Sequence, residues 1–348
     1  TGPYVKKFEN KINKFTKSKY TIVCNSGTSA LYLAFKSINL KKNDIVIMPC
    51  ITFVSSYNIA KIFGAKVYLA DVNPDNGQMS PKDIINCCEK FNLKKIKLIV
   101  PMYHGGYPLN ANNFKTLKRK YGCYIIEDAC HAFGATYKSN NKMYKIGSCK
   151  HADISTFSFH PLKTITTCEG GAVTTNLKKI YKKLENLRSI GISRSKQHWK
   201  YDVSEHSLNF RLSDIQCALG ISQLNKINKF IKKREDIAKI YNKFLKNNKI
   251  ELIKYDKNSK SAYHLYLLKL KNFNLKKKEV FFKFMKSKNI YIQYHYIPIY
   301  KFKVFKDKFI GLNAQYFYEN TVSLPIYFEL SEKKQRYVIN SILSFLRK

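Results

Sequence analysis

The chain has 348 residues, 45% of them hydrophobic and 14% aromatic, with 25 Tyr and 23 Phe spread along its length. That composition excludes a disordered basic tail, which is poor in aromatics and cannot assemble a core. Lys and Arg number 63 against 23 Asp and Glu, a formal net charge of +40 at pH 7, and only seven of those cations are Arg. Nucleic-acid readers use Arg forks for phosphates and base edges, so basicity carried by Lys points to a solvated surface and away from a nucleic-acid partner. Such a field still attracts anionic small molecules.

The nine Cys are odd in number, scattered and without a Cys-x-x-Cys pair. They read as free thiols in a reducing compartment, with no metal site. No apolar run reaches the roughly 18–20 residues of a membrane span, and Thr1 to Glu9 do not resemble a signal peptide. A cytoplasmic protein with no membrane partner is therefore expected. The chain opens on Thr and not on Met, so residues preceding Thr1 are also expected.

Single cores stop growing at roughly 250–300 residues, which predicts two lobes. Strand-like runs occur at Tyr20 to Cys24, Asp44 to Met48, Lys66 to Ala70, Lys97 to Pro101, Cys123 to Ile126, Ile154 to Phe159 and Gly171 to Thr175. Helical patterns lie between them at Ser29 to Ser37, Val54 to Phe63, Pro81 to Phe91 and Asn112 to Tyr121. This alternation is that of a parallel α/β sheet. Ser80, Pro81 and Asp83 mark one helix start as cap, first helical residue and first-turn acid. A Lys-rich helical stretch from Ser213 to about Lys246 follows as a connector. Beyond it come a strand at Tyr263 to Leu270, a helix at Glu279 to Lys286, a strand at Ile290 to Tyr296 and a closing helix from Ser331 to Phe345, a small α+β lobe. The division expected is 1–212, 213–247 and 248–348.

Three places carry chemistry. The segment His151 to Leu177 holds one Lys, Lys163, where the chain average would give about four. It therefore reads as buried, and a buried amine is neutral, paired or used as a nucleophile. The alternative is an amine that reaches solvent or pairs with Glu169. Asp128 ends the apolar run Cys123 to Ile126 where ligands bind in open α/β sheets, with His131 three residues on. They read either as contacts to a ring nitrogen and the same ligand, or as a turn acid and a satisfied loop histidine. The run Asn25-Ser26-Gly27-Thr28-Ser29 follows a strand and opens a helix, which makes it a phosphate cradle or an ordinary capped start.

In this order the residues resemble the DegT-type sugar aminotransferases over nearly the whole chain. The stretches carrying the resemblance are NSGTSAL from Asn25, ITFVSS from Ile51, IIEDACHAFGA from Ile125, FSFHPLKTITTCEGGAVTTN from Phe157 and NFRLSDIQCALGISQL from Asn209. SAYHLYLL from Ser261, HYIP from His295 and SLPIY from Ser323 resemble the subgroup that serves pseudaminic acid synthesis. The resemblance implies the type I fold of pyridoxal-phosphate transferases, a large, mixed and mostly parallel sheet with a smaller C-terminal α+β domain. It implies pyridoxal 5'-phosphate as cofactor, held covalently by Lys163, which then carries the proton between substrate and cofactor carbons. Asp128 would keep the pyridine nitrogen protonated. Gly27, Thr28 and Ser158 would bind the phosphate together with Asn209 from across a homodimer interface. Phe53 would stack on the ring, and His131 would sit by its phenolic oxygen. Substrate contacts would fall on Trp199, Tyr201, Arg211, Tyr294, His295 and Tyr296.

The implied reaction moves an amino group, with glutamate the expected donor, to C4 of a UDP-linked 4-keto-6-deoxy-N-acetyl hexose. The alternatives are another keto sugar nucleotide, of the UDP-4-amino-arabinose or GDP-perosamine type, and from a different class a basic nucleic-acid-binding protein. The chain departs from the family pattern at Tyr103, Tyr107, Asn110, Cys168, Ile190 and Leu208. These are loop and wall positions that bear on which sugar is recognised.

Overall fold

The computed structural model describes residues 2–194, 197, 199–256, 258–307 and 309–347. Its first element is absent from the sequence reading. Pro3 opens α1 (Pro3–Thr16), and Val5, Phe8, Ile12 and Thr16 form one buried stripe at helical spacing. Glu9 shares that stripe because Arg188 Nη1 donates to its carboxylate at 2.6 Å and the Val23 amide at 3.1 Å. Its charge is thus paired and not buried alone.

The chain continues through β1 (Tyr20–Cys24), α2 (Gly27–Ser37), β2 (Ile45–Pro49), α3 (Ser55–Ile62), β3 (Lys66–Ala70), α4 (Pro81–Lys90), β4 (Leu98–Ile99), α5 (Lys115–Tyr121) and β5 (Tyr124–Asp128). A hairpin, β6 (Thr136–Ser139) and β7 (Lys142–Lys145), precedes β8 (Ile154–Ser158) and β9 (Gly171–Thr175). Seven strands form one sheet in the order β1-β9-β8-β5-β4-β2-β3, parallel except that β9 runs antiparallel to both its neighbours. The α4 start is as predicted: Ser80 and Asp83 cap each other's backbone amides, with Pro81 first in the helix. The helix expected over Asn112 to Tyr121 begins instead as a 3-10 turn at Ala111–Phe114, because the Asn110 side chain accepts the Asn112 amide at 3.0 Å.

After α6 (Lys178–Arg188) and the ribbon β10 (Ile192–Arg194) and β11 (Tyr201–Val203), the Lys-rich stretch is two helices, α7 (Asp214–Asn225) and α8 (Ile227–Phe244), joined at Lys226. The second lobe holds β12 (Ile250–Leu252), β13 (Tyr266–Leu270), α9 (Leu275–Ser287), α10 (Leu312–Asn320), β14 (Thr321–Leu324) and α11 (Glu332–Arg347). Its sheet is antiparallel, in the order β12-β13-β14. β13 starts three residues later than expected, because Tyr263 has φ of 44° and leaves the pleat.

The strand expected at Ile290 to Tyr296 does not form. Gln293 alone bridges Ser323, and the chain then leaves the sheet edge as a strap toward the large lobe. Several contacts fasten the small lobe to the rest of the chain, among them two through charged side chains. Arg234 Nη1 on α8 donates to the carbonyls of Tyr263, His264 and Ile326, each at 3.1 Å. Asp71, just past β3, accepts the Asn313 and Ala314 amides at 3.0 and 2.9 Å, capping α10. Among the described residues no helix is long and apolar enough to cross a membrane.

Candidate active site

The carboxyl ends of the parallel strands open on a cleft of about 330 Å³ between the lobes. β1 delivers Ser26, Gly27 and Thr28, β2 is followed by Phe53 and Ser55, β5 ends in Asp128, and β8 ends in Ser158 with Lys163 on the loop beyond. The small lobe contributes His264, His295 and Tyr296.

At the start of α2 the Ser26 hydroxyl takes the Ser29 amide at 3.0 Å, which leaves the amides of Gly27 and Thr28 directed out of the helix end. The helix approaches β8 closely. A Cβ on Gly27 would stand 2.7 Å from Ser158 Cβ, and one on Gly171 would stand 2.3 Å from the Ser26 carbonyl oxygen. Thr28 Oγ1 meets Ser55 Oγ at 3.0 Å, so a cluster of hydroxyls and amides lines one end of the cleft.

Asp128 is buried, with Ser56 Oγ donating to it at 2.9 Å and the Cys130 amide at 3.3 Å. Burial pulls the Lys163 ammonium below its ordinary pKa, opposed by Cys130 and Asp128. Glu169, weighed above as a partner for Lys163, faces His160 Nε2 at 3.8 Å. The low-Lys segment is buried in its strands, but Leu162, Cys168 and Glu169 at its tip are exposed because the loop forms the cleft rim. On the opposite wall His131 Nε2 is hydrogen-bonded to Tyr296 OH at 2.8 Å, and its ring centroid lies 4.2 Å from that of His264. Burial, then the Lys163 charge, holds both histidines well below the usual imidazole pKa. Burial likewise brings His295 down to about 4, and its Nδ1 meets Ser323 Oγ at 2.7 Å.

The cleft thus gathers Gly27, Thr28, Phe53, Asp128, His131, Ser158, Lys163, His295 and Tyr296. It does not gather the remaining sequence candidates. Trp199 and Tyr201 are 65% and 69% exposed, and Asn209 and Arg211 are also on the surface. Tyr294 turns away and stacks on Phe282, with ring centroids 4.4 Å apart. Ser55, Ser56, Cys130 and His264 line or support the cleft but were not singled out from sequence. The two serines sit inside the quoted ITFVSS run, where a second strand-to-helix junction with adjacent hydroxyls was the available signal. Among the described residues no group of three or more His, Cys, Asp or Glu could hold a metal ion.

The sequence model of the DegT/DnrJ/EryC1/StrS aminotransferase family matches residues 1–343. The chain belongs to this family. It is 38% identical to the UDP-4-amino-4,6-dideoxy-N-acetyl-beta-L-altrosamine transaminase of Campylobacter jejuni (strain 81-176), over all of this chain and 91% of that protein. Helicobacter pylori PseC, an aminotransferase involved in the biosynthesis of pseudoaminic acid, superposes with a TM-score of 0.90 at 29% identity, covering 100% of this chain and 92% of PseC. The PLP form of Spr1654 from Streptococcus pneumoniae also gives 0.90, at 25% identity and with the same coverage.

This DegT-family chain is a pyridoxal-phosphate-dependent aminotransferase. Its residues fit that cofactor. His131 Nδ1 is a buried atom in the cleft wall with no hydrogen-bond partner, and at the start of α2 a Cβ on Gly27 would collide with Ser158, so only glycine lets the two cradle segments approach this closely. Lys163 and the buried carboxylate of Asp128 line the same cleft, with Glu169 at its rim.

Proposed function

We propose that this family member aminates C4 of a UDP-linked 4-keto-6-deoxy-N-acetyl hexose, with glutamate as donor, in the cytoplasm. The observation that carries the catalytic reading is the meeting of Lys163, Asp128 and the Gly27 cradle in one cleft. Similarity to the Campylobacter transaminase over the full chain supports the sugar. Nine unpaired cysteines support the reducing compartment.

When bound, the cofactor supplies an electron sink and a carrier for the amino group. Lys163, its pKa lowered by burial, is the base that would move a proton between the substrate carbon and the cofactor carbon, outward from the donor in the first half-reaction and back to the sugar carbon in the second. Asp128, oriented by Ser56, would keep the ring nitrogen protonated. The Gly27 and Thr28 amides and Ser158 bind the phosphate, joined by Asn209 of the partner subunit. Phe53 would lie against the ring, and His131 would hold its phenolic oxygen through Nδ1, which has no partner within the chain. His295, Tyr296 and, from across a dimer, Trp199, Tyr201 and Arg211 orient the sugar nucleotide. Exposed Leu162, Trp199, Tyr201 and Leu208 support a second copy covering this face. The same reading takes 1–212 as the cofactor lobe, 213–247 as connector and 248–348 as the small lobe.

The test is the near-visible spectrum of the purified protein with pyridoxal phosphate, before and after glutamate, beside Lys163→Ala. A band that glutamate bleaches only in the wild type is expected, followed by turnover of UDP-linked but not GDP-linked keto sugars. No band at saturating cofactor would overturn the catalytic assignment.

A further inference from the structure

Lys278 is an anomaly in a chain whose lysines are mostly solvated. It lies on α9, 1% exposed, and its ammonium is 4.4 Å from the ring centroid of Tyr294 and 4.6 Å from that of Tyr318. Its Nζ donates to the Tyr318 carbonyl oxygen on α10. Phe282, one turn along α9, stacks on Tyr294 with planes inclined by 17°. The charged and titratable neighbours are Glu279 on α9, Glu319 on α10, and Tyr300 and Lys301, whose Nζ lies 5.8 Å from the Tyr318 ring.

Tyr294 is the residue before His295 and Tyr296, the two strap side chains that line the cleft. Downstream, the His295 carbonyl meets His104 Nε2 at 2.6 Å, and Tyr296 reaches His131. Upstream, the strap is held by the Gln293–Ser323 backbone bridge and, by side chain, through Tyr294. A buried ammonium is costly and is tolerated here only while ring faces and a carbonyl surround it. Tyr294 therefore cannot leave without stranding the charge.

Resting on the reading of the cleft as the active site, we infer that Lys278 is a positioning residue: its charge pins Tyr294 and thereby aims His295 and Tyr296 at the substrate. Burial brings the Lys278 ammonium down to about 7, with Glu319 pulling the other way. The pin therefore loosens as pH rises through neutrality.

The experiment uses the holoenzyme, Lys278→Met and Lys278→Arg. Hydrogen exchange of the peptide spanning 288–300, corrected for intrinsic rate, is followed at pH 6 and 8.5 without substrate. The KM for the UDP-linked 4-keto sugar is followed over the same range in turnover with L-glutamate as donor. Expected is a strap that exchanges about tenfold faster at pH 8.5 in the wild type, fast at both values in Lys278→Met and slow at both in Lys278→Arg. The KM should follow the same pattern and change more than kcat. Lys163 is common to all three proteins, so differences between profiles isolate Lys278. Equal exchange in all three would overturn the proposal, as would faster exchange with KM unmoved. Should Lys278→Met fail to fold, a Lys278→Arg profile with the wild-type inflection overturns it as well. A wild type without a cofactor band would sink the functional reading, while the exchange data would still judge the pin.

Discussion

Ser56 Oγ donates to Asp128 Oδ2 at 2.9 Å across the start of α3 and the end of β5. The bond joins two strand-to-helix junctions that are 72 residues apart in sequence. It fixes the plane of a carboxylate that is 3% exposed. A hydrogen bond to a charged group contributes about 1.5–3 kcal/mol. Ser56→Ala should therefore release pyridoxal phosphate about tenfold more readily on dialysis, and Asp128→Asn should lower turnover further still. Cofactor retention equal to wild type in Ser56→Ala would refute the orienting role.

What was legible in the sequence followed from strand ends. Asp128 terminates an apolar run and Gly27 follows one, so topology alone brings them to one edge of a parallel sheet, whereas Ser158, inside its run, was marked by the family resemblance. Lys163 stood out through the depletion of Lys around it. The strap was not legible, because the alternating Ile290, Ile292 and Tyr294 read as a strand, while the partners of Tyr294, Lys278 and Phe282 on α9 and Tyr318 on α10, lie outside the run. The α1 stripe was obscured by Glu9, whose partner Arg188 is 179 residues away. The surface placement of Trp199, Asn209 and Arg211 depends on chain packing that no local pattern encodes.

The buried histidines set an acid limit on stability. Burial brings His104 and His295 down from 6.5 to about 4, and His131 and His264 also lie well below their ordinary value. The unfolded chain binds those protons near pH 6.5 and the folded chain does not, so stability is lost as pH falls through the window from 6.5 toward 4. Each histidine contributes a slope of up to about 1.4 kcal/mol per pH unit. Glu9 and Glu127, whose pKa values are raised by burial, offset part of this. Thermal unfolding should show Tm falling steeply between pH 6.5 and 4.5, with a shallower fall in His104→Gln. A level Tm across that range would contradict the account.

Cys168 holds φ of 66° at the exposed rim of the cleft. A Cβ in that conformation costs roughly 1–2 kcal/mol, and glycine removes it while giving back part through a freer unfolded chain. Cys168→Gly should gain a net stability of about 0.5–1 kcal/mol, whereas Cys168→Ala, which keeps the Cβ, should gain nothing. Denaturant midpoints at constant m-value distinguish the two, and equal midpoints for both variants would show that strain is not released there.

The proposal that active sites are shared across a homodimer makes a prediction that no single-chain reading can mimic. Asn209 is exposed and does not line the cleft of its own chain, and its carbonyl accepts from the Asn25 side chain at 3.4 Å. If Asn209 of the partner subunit binds the phosphate, Asn209→Asp sets a carboxylate against a dianion and inactivates the site across the interface. Lys163→Ala inactivates the site of its own subunit. Mixed in equal amounts and allowed to exchange, the two dead variants should form heterodimers in which one site carries Lys163 from one chain and Asn209 from the other. Random pairing in a two-fold dimer then restores about a quarter of wild-type activity. Sites built within one chain would leave the mixture as inactive as its parents.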